Sequence, residues 1–210
     1  FLFLFSALFP CLVFFLARLC VPVAERIGLL DRPGGRKQHS GSTPLVGGIA
    51  LYLGVLLGFS VLSSQVEVPW GLLGIAFLLM LLGVWDDFKG LSARLRFIGQ
   101  FGLMMLAVAW GGMILNRFGD LLFMGPFVLS SWALPVTAFA AVGMVNAFNM
   151  LDGLDGLSSS LALQGLLWML GLSCWHGDFI TATQLFLWSM AILGFLWGNF
   201  PRSGAWRAKW

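Results

Sequence analysis

An all-α polytopic bundle of about seven membrane-crossing helices, N-terminus outside and C-terminus inside, is what three observations on this chain require. Hydrophobic residues make up 59% of the 210 residues and charged residues 10%, against about 25% charged in a soluble domain. Seven apolar runs near span length follow one another with short polar breaks between them. All but one of the 12 Lys and Arg fall in alternate breaks.

The runs cover roughly 1–19, 44–63, 69–85, 97–115, 127–145, 158–174 and 179–198. Each is read as a helix, because in hydrocarbon only a helix satisfies its own backbone at this length. A barrel strand needs about ten residues and alternates, and these runs do neither. The first run has no positive charge ahead of it, and Arg18 comes only near its end, so it does not read as a signal peptide. The second starts at Pro44, a residue suited to a helix start. The third ends on Asp86-Asp87, the fourth follows Arg94 and Arg96, and the fifth ends at Asn146. A single transmembrane domain over 1–210 is expected. The chain opens on Phe1 and stops after Trp210, as a fragment of a longer protein would.

Orientation follows from charge. Residues 20–43, 86–96, 146–157 and 199–210, with Arg18 at their edge, hold Arg18, Arg26, Arg32, Arg36, Lys37, Lys89, Arg94, Arg96, Arg202, Arg207 and Lys209. The opposite side holds Arg117. The positive-inside rule makes the rich side cytoplasmic. Trp70, Trp110, Trp132 and Trp175 fall near the outer ends, where an aromatic belt sits. Basic residues split among loops argue against a nucleic-acid partner, which would need them gathered on one face. Cys11, Cys20 and Cys174 form no Cys-x-x-Cys pair and read as small buried apolar residues.

Three polar segments fall on the basic side. Asp86-Asp87 places two like charges side by side, which repel unless a cation compensates. Such a pair is either a solvated helix end or a group that binds a divalent metal or handles a phosphate. Lys89, Arg94 and Arg96 follow closely, and they either hold an anion or anchor the span at the lipid surface. The second segment is Asn146-Ala-Phe-Asn149-Met-Leu-Asp152-Gly-Leu-Asp155-Gly156. A charge at membrane depth costs at least about 2.5 kcal/mol, so its default reading is functional. Its four polar residues recur every three positions, and one continuous helix would aim the first and last in opposite directions. Gly153 and Gly156 therefore predict a break that lets them converge. The third is the loop from Asp31 to Gly48, where Arg36, Lys37 and His39 form a cationic patch. That patch meets lipid headgroups or a bound anion. Gly47-Gly48 permits close helix approach. His176, across the membrane from these, is not a catalytic candidate.

In this order and spacing the three segments resemble the polyprenyl-phosphate N-acetylhexosamine-1-phosphate transferases. Arg36-Lys37-Gln38-His39 followed by Pro44-Leu45-Val46-Gly47-Gly48 looks like the hexosamine branch, since the muramoyl-pentapeptide branch usually reads Pro-Thr-Met-Gly-Gly there. The resemblance covers essentially the whole chain. It implies transfer of N-acetylglucosamine 1-phosphate, or a close relative, from a UDP-sugar to undecaprenyl phosphate with release of UMP. It also implies Mg²⁺, with Mn²⁺ as an alternative, in a bacterial inner membrane. By resemblance Asp86 and Asp87 handle the lipid phosphate and the metal, and Asn149 helps hold Mg²⁺. Asn146, Asp152 and Asp155 match the nucleotide pocket, and Arg96 matches a basic position that meets phosphates, with Arg94 beside it as a further substrate-binding candidate. Arg36, Lys37 and His39 match the first cytoplasmic loop. The implied partners are undecaprenyl phosphate, a UDP-N-acetylhexosamine, the bilayer and a second copy of the chain. Family members continue with a Gly-Asp-Ala-Gly loop and a His-rich loop, which would lie after Trp210, so this chain alone is expected to be inactive. Two rivals fit less well. A prenyltransferase would show Asp-x-x-x-Asp within one motif. An ion-coupled transporter would place its acids near the bilayer midplane.

Overall fold

The computed structural model of the chain describes residues 2–31, 43–64, 66–112, 114–120, 123, 125–151 and 156–199. Among these residues there are seven α-helices: α1 (Leu2–Ile27), α2 (Gly47–Val61), α3 (Trp70–Lys89), α4 (Ala93–Gly111), α5 (Ala133–Leu151), α6 (Leu157–Trp175) and α7 (Phe179–Asn199). A single 3-10 turn, Ser130–Trp132, leads into α5. Two short strands, β1 (Leu30–Asp31) and β2 (Thr43–Pro44), pair antiparallel with Leu30 opposite Pro44 and Asp31 opposite Thr43. The fold is a polytopic helical membrane bundle, as expected.

Among the described residues, five segments are long and apolar enough to cross a membrane: Leu8–Ile27, Trp70–Lys89, Ser130–Leu151, Leu157–Trp175 and Phe179–Asn199. The other two helices differ for physical reasons. With 15 residues, α2 is only about 22 Å long, short of a hydrocarbon core of about 30 Å. Arg94, Arg96 and Gln100 make the first half of α4 polar. Helix ends also move from where the runs predicted them. Both α1 and α3 continue through charged residues, to Ile27 and Lys89, because a helix end at the membrane surface can carry charge that snorkels into water. Asp86 and Asp87 therefore sit in the last turn of α3 and not in a loop. The span expected to begin near 127 starts instead at Ser130, after a hairpin in which Arg117 bridges Val128.

The chain divides into two compact units, residues 1–68 with 151–210, and residues 69–150. In the first unit α1, α2 and α7 pack on one another, and α6 packs on α7. Leaving lipid for a protein interior removes no apolar surface from water, so close packing must hold these helices together. Small residues make that approach achievable. Ala17, Ala24, Ala50, Ala182 and Ala191 are buried beside Phe9, Val13, Phe59 and Leu187. A methyl group on Gly47 would meet Phe195 at 2.7 Å and one on Gly54 would meet Val13 at 2.6 Å. The expected role of Gly47 is thus present, while Gly48 faces open space. Ser189 is fully buried and its hydroxyl donates to the Leu185 carbonyl at 2.8 Å, which satisfies it.

The cysteines correct an expectation. All three are free, but Cys11 and Cys174 are exposed and Cys20 is half-buried. The outward faces of membrane helices are themselves apolar, so a small apolar residue need not be buried in protein. Trp70, Trp110, Trp132 and Trp175 each stand at or next to a helix end and are strongly exposed.

Outside the spans, Asp178 caps α7: its Oδ1 accepts from the Thr181 backbone N–H at 3.1 Å. Hydrogen bonds from the Thr181 side chain and then its backbone hold the Asp178 carboxyl below its ordinary value of 3.8. A carboxyl depressed in the folded state stabilises above its unfolded pKa, and that contribution is lost as pH falls through the folded pKa. We expect Asp178→Ala to lower the thermal midpoint modestly at neutral pH. The gap from wild type should close in acid below the ordinary carboxylate range. Thermal melts of both proteins across pH check this, and a gap that persists in acid refutes the cap's charge dependence.

Candidate functional site

The polar residues that sequence singled out and the structure describes all belong to the second unit, on α3, α4 and α5. Their placement begins with how α3 ends. Gly90 takes φ +63, a left-handed conformation that residues with a Cβ rarely adopt. This lets the Gly90 N–H donate to the Asp86 carbonyl at 2.7 Å. The next N–H, of Leu91, donates to Asp86 Oδ1 at 2.9 Å. One residue further on, Ser92 caps α4 by accepting from the Leu95 N–H at 3.4 Å. Only Gly90, Leu91 and Ser92 separate the two helices, so α4 turns straight back along α3.

That turn brings α4's first residues to the acidic pair. Arg96 Nη1 donates to Asp86 Oδ2 at 3.0 Å, with the side chains 33% and 20% exposed respectively. Partly screened, such a pair contributes on the order of 1 kcal/mol. Both Asp86 oxygens are thus engaged, one by a backbone amide and one by a guanidinium. Asp87 is one residue on, about 100° around the helix, and is exposed. Arg94 and Lys89 are also exposed. The structure therefore brings Asp86 and Arg96 together as partners, with the exposed Asp87 beside Asp86 in sequence.

One helical turn beyond Arg96, Gln100 carries the cluster to α5. Asn146 Nδ2 donates to Gln100 Oε1 at 2.8 Å and to the Val142 carbonyl at 2.9 Å. Phe97 also meets Phe139 of α5 edge-on, with ring centroids 6.4 Å apart. Asn146 is half-buried and Asn149, one turn later, is exposed. Two hydrogen bonds, Arg96 to Asp86 and Asn146 to Gln100, thus link α4 to α3 and to α5 from positions one turn apart. Sequence reading did not single out Gln100, a lone amide in an apolar run. The available signal was its spacing of four from Arg96, which puts both on one face of α4.

The break expected between α5 and α6 is present at Gly156, whose φ of +79 precedes the start of α6 at Leu157. Asp152 and Asp155 lie outside the described residues, as do Arg36, Lys37 and His39. Chemically, the described site offers hard oxygen donors and guanidinium groups. Such a set suits phosphate groups together with a cation bound through oxygen. Among the described residues no three His, Cys, Asp or Glu side chains form a metal cage.

A family model for glycosyl transferase family 4 matches residues 69–207. The chain is 33% identical over 181 residues to a probable undecaprenyl-phosphate N-acetylglucosaminyl 1-phosphate transferase of Bacillus subtilis, covering 85% of this chain and 50% of that protein. It is 32% identical over 186 residues to the undecaprenyl-phosphate alpha-N-acetylglucosaminyl 1-phosphate transferase of Escherichia coli K12, covering 89% of this chain and 49% of that one. The enzyme of the same name from Yersinia pestis is 39% identical over 164 residues, covering 77% of this chain and 42% of the relative. The chain spans about half the length of the curated relatives it matches.

Proposed function

The chain belongs to glycosyl transferase family 4, and on that premise we propose that it serves the transfer of N-acetylhexosamine 1-phosphate from a UDP-sugar to undecaprenyl phosphate. N-acetylglucosamine is the favoured sugar, because relatives that match 85% or more of this chain carry it in their names. The observation that carries the reading is the cluster at the junction of α3 and α4. There Asp86, the first of two adjacent acids at the end of α3, holds the Arg96 guanidinium. The membrane is the bacterial inner membrane and the site faces the cytoplasm, a placement supported by the skew of Lys and Arg toward that side.

The reaction forms a bond from an oxygen of the lipid phosphate to the sugar-linked phosphorus of the UDP-sugar. The bond from that phosphorus to the bridging oxygen breaks, and that oxygen leaves with its electron pair on UMP. The attacking oxygen is already ionised, so no general base is needed. The barrier lies in bringing two anions together, and positive charge must offset it. Arg96 has five N–H donors in its guanidinium; the one on Asp86 fixes the group in place, and the remainder serve a phosphate. Arg94 adds charge at the same end of α4.

Magnesium, with manganese as an alternative, fits the oxygen donors present, and Asp87 and Asn149 would hold it. Both are exposed in the last turns of their helices. A cation that takes one or two protein carboxylates and completes its shell with water and phosphate needs no larger protein cage. When bound, it supplies charge against the phosphates and orients the leaving group.

The test uses full-length protein in nanodiscs containing undecaprenyl phosphate, with labelled UDP-N-acetylglucosamine. We expect lipid-linked sugar diphosphate and UMP in equal amounts, abolished by EDTA and restored by Mg²⁺. Absence of a lipid-linked product overturns the reading.

A further inference from the structure

We infer that Gln100 is a positioning residue that fixes the side-chain amide of Asn146, so that the Asn146 carbonyl oxygen is presented to the sugar-nucleotide substrate. This rests on the transferase reading above, in which Asn146 matches the nucleotide pocket, and goes beyond it by naming Gln100 as the residue that orients that amide.

The argument begins with hydrogen-bond inventory. A backbone carbonyl can only accept, so the Val142 oxygen requires the NH₂ end of Asn146 to face it, at 2.9 Å. The second hydrogen of that NH₂ goes to Gln100 Oε1 at 2.8 Å. Both donor hydrogens of Asn146 are then used, and what it has left to offer a ligand is an acceptor, Oδ1. Without Gln100 one hydrogen loses its partner. The terminal torsion of an asparagine is broad and twofold, so the amide would no longer be held to one orientation.

The acceptor discriminates between the two substrates. An ionised lipid phosphate carries only acceptor oxygens, and a carbonyl oxygen aimed at it would repel it. A UDP-sugar carries hydroxyls, an acetamido N–H and the imide N–H of its base, and each can donate to Asn146. Gln100 lies one turn beyond Arg96 on α4, and Arg96 is tied to Asp86. One face of α4 therefore offers a donor group to phosphate at its start and, through Asn146, an acceptor one turn later. A lone amide in an apolar helix is costly unless paired, and this pairing accounts for its presence there.

The test is Gln100→Met, which keeps length and removes the acceptor, in full-length protein in nanodiscs. The KM for UDP-N-acetylglucosamine should rise about tenfold, the loss expected of one well-placed hydrogen bond. The KM for undecaprenyl phosphate should stay at its wild-type value. In an Asn146→Ala background the same substitution should add no further effect, because Gln100 acts through Asn146. In ¹⁵N-labelled protein the Asn146 side-chain NH₂ should exchange faster with solvent in Gln100→Met than in wild type. Normal wild-type turnover with an unchanged nucleotide KM in the variant sinks the role of Gln100 alone. So do fully additive effects, or a shift in the lipid KM or metal requirement instead. A wild-type protein with no turnover sinks the transferase reading itself.

Discussion

Asp87→Asn is expected to lower transferase turnover of the full-length protein at least ~100-fold, the size of effect seen when one electrostatic stabiliser is removed, while leaving its thermal midpoint unchanged or slightly raised. The two halves of this prediction have separate causes. A negative charge in the last turn of a helix opposes the helix dipole, at a cost of about 0.3–1 kcal/mol. Asp87 occupies such a position at the end of α3, next to a second carboxylate. Lys89 lies in the same turn and offsets part of that cost. The two oxygens of Asp86 are committed to the Leu91 amide and to Arg96. The isosteric amide at 87 keeps shape and removes charge, so activity and folding separate cleanly. Turnover with saturating Mg²⁺ and both substrates, alongside a melt of the same preparation, is the measurement. Activity near wild type would contradict a role for this carboxylate in the chemistry.

Gly194→Val should be the most damaging single substitution in the first unit. A methyl group on Gly194 would meet the backbone of Pro10 in α1, with Cα at 2.8 Å, the carbonyl carbon at 2.9 Å and the carbonyl oxygen nearer still. At Gly58 the same methyl would meet ring atoms of Phe9, from 2.7 Å, and a side-chain end can swing aside. Backbone cannot, so α1 and α7 must separate. Overpacking of ordinary cores costs about 1–3 kcal/mol, and a clash with main chain belongs at or beyond the upper end. Gly194→Ala should already lower the thermal midpoint in detergent by several degrees, and Gly194→Val should leave little folded protein. Gly165→Ala on α6 is the control: nothing lies within 4 Å of its added methyl, so only helix propensity changes, by up to about 1 kcal/mol in favour of the variant. Equal behaviour of the 194 and 165 variants would show that α1 and α7 do not approach as described.

Much of this architecture was legible because lipid imposes a simple grammar. A run of apolar residues long enough to span must be helical, so the seven helices appear in the sequence with their approximate centres. Their ends were harder to read. The apolar pattern ends at Trp85, yet α3 continues to Lys89, since what stops it is the left-handed Gly90 and the amides that cap Asp86. A hydropathy pattern carries no trace of that local geometry. Asp86, Asp87, Asn146 and Asn149 were visible as polar residues at the rim of apolar runs, where such residues are expensive. The pairing of Asp86 with Arg96 was not visible, because it depends on how few residues join α3 to α4. Gln100 was passed over because one amide makes no motif; its meaning appears only once Asn146 is seen opposite it.

The junction Gly90–Ser92 has a mechanical consequence. Bilayers of different thickness tilt and slide helices past one another, and a centre assembled from independent spans would be stretched or squeezed by each change. Here the acid at 86 and the base at 96 are tethered by a three-residue covalent corner whose length the lipid cannot alter. Their separation is a built-in gauge, carried intact as the surrounding helices lean.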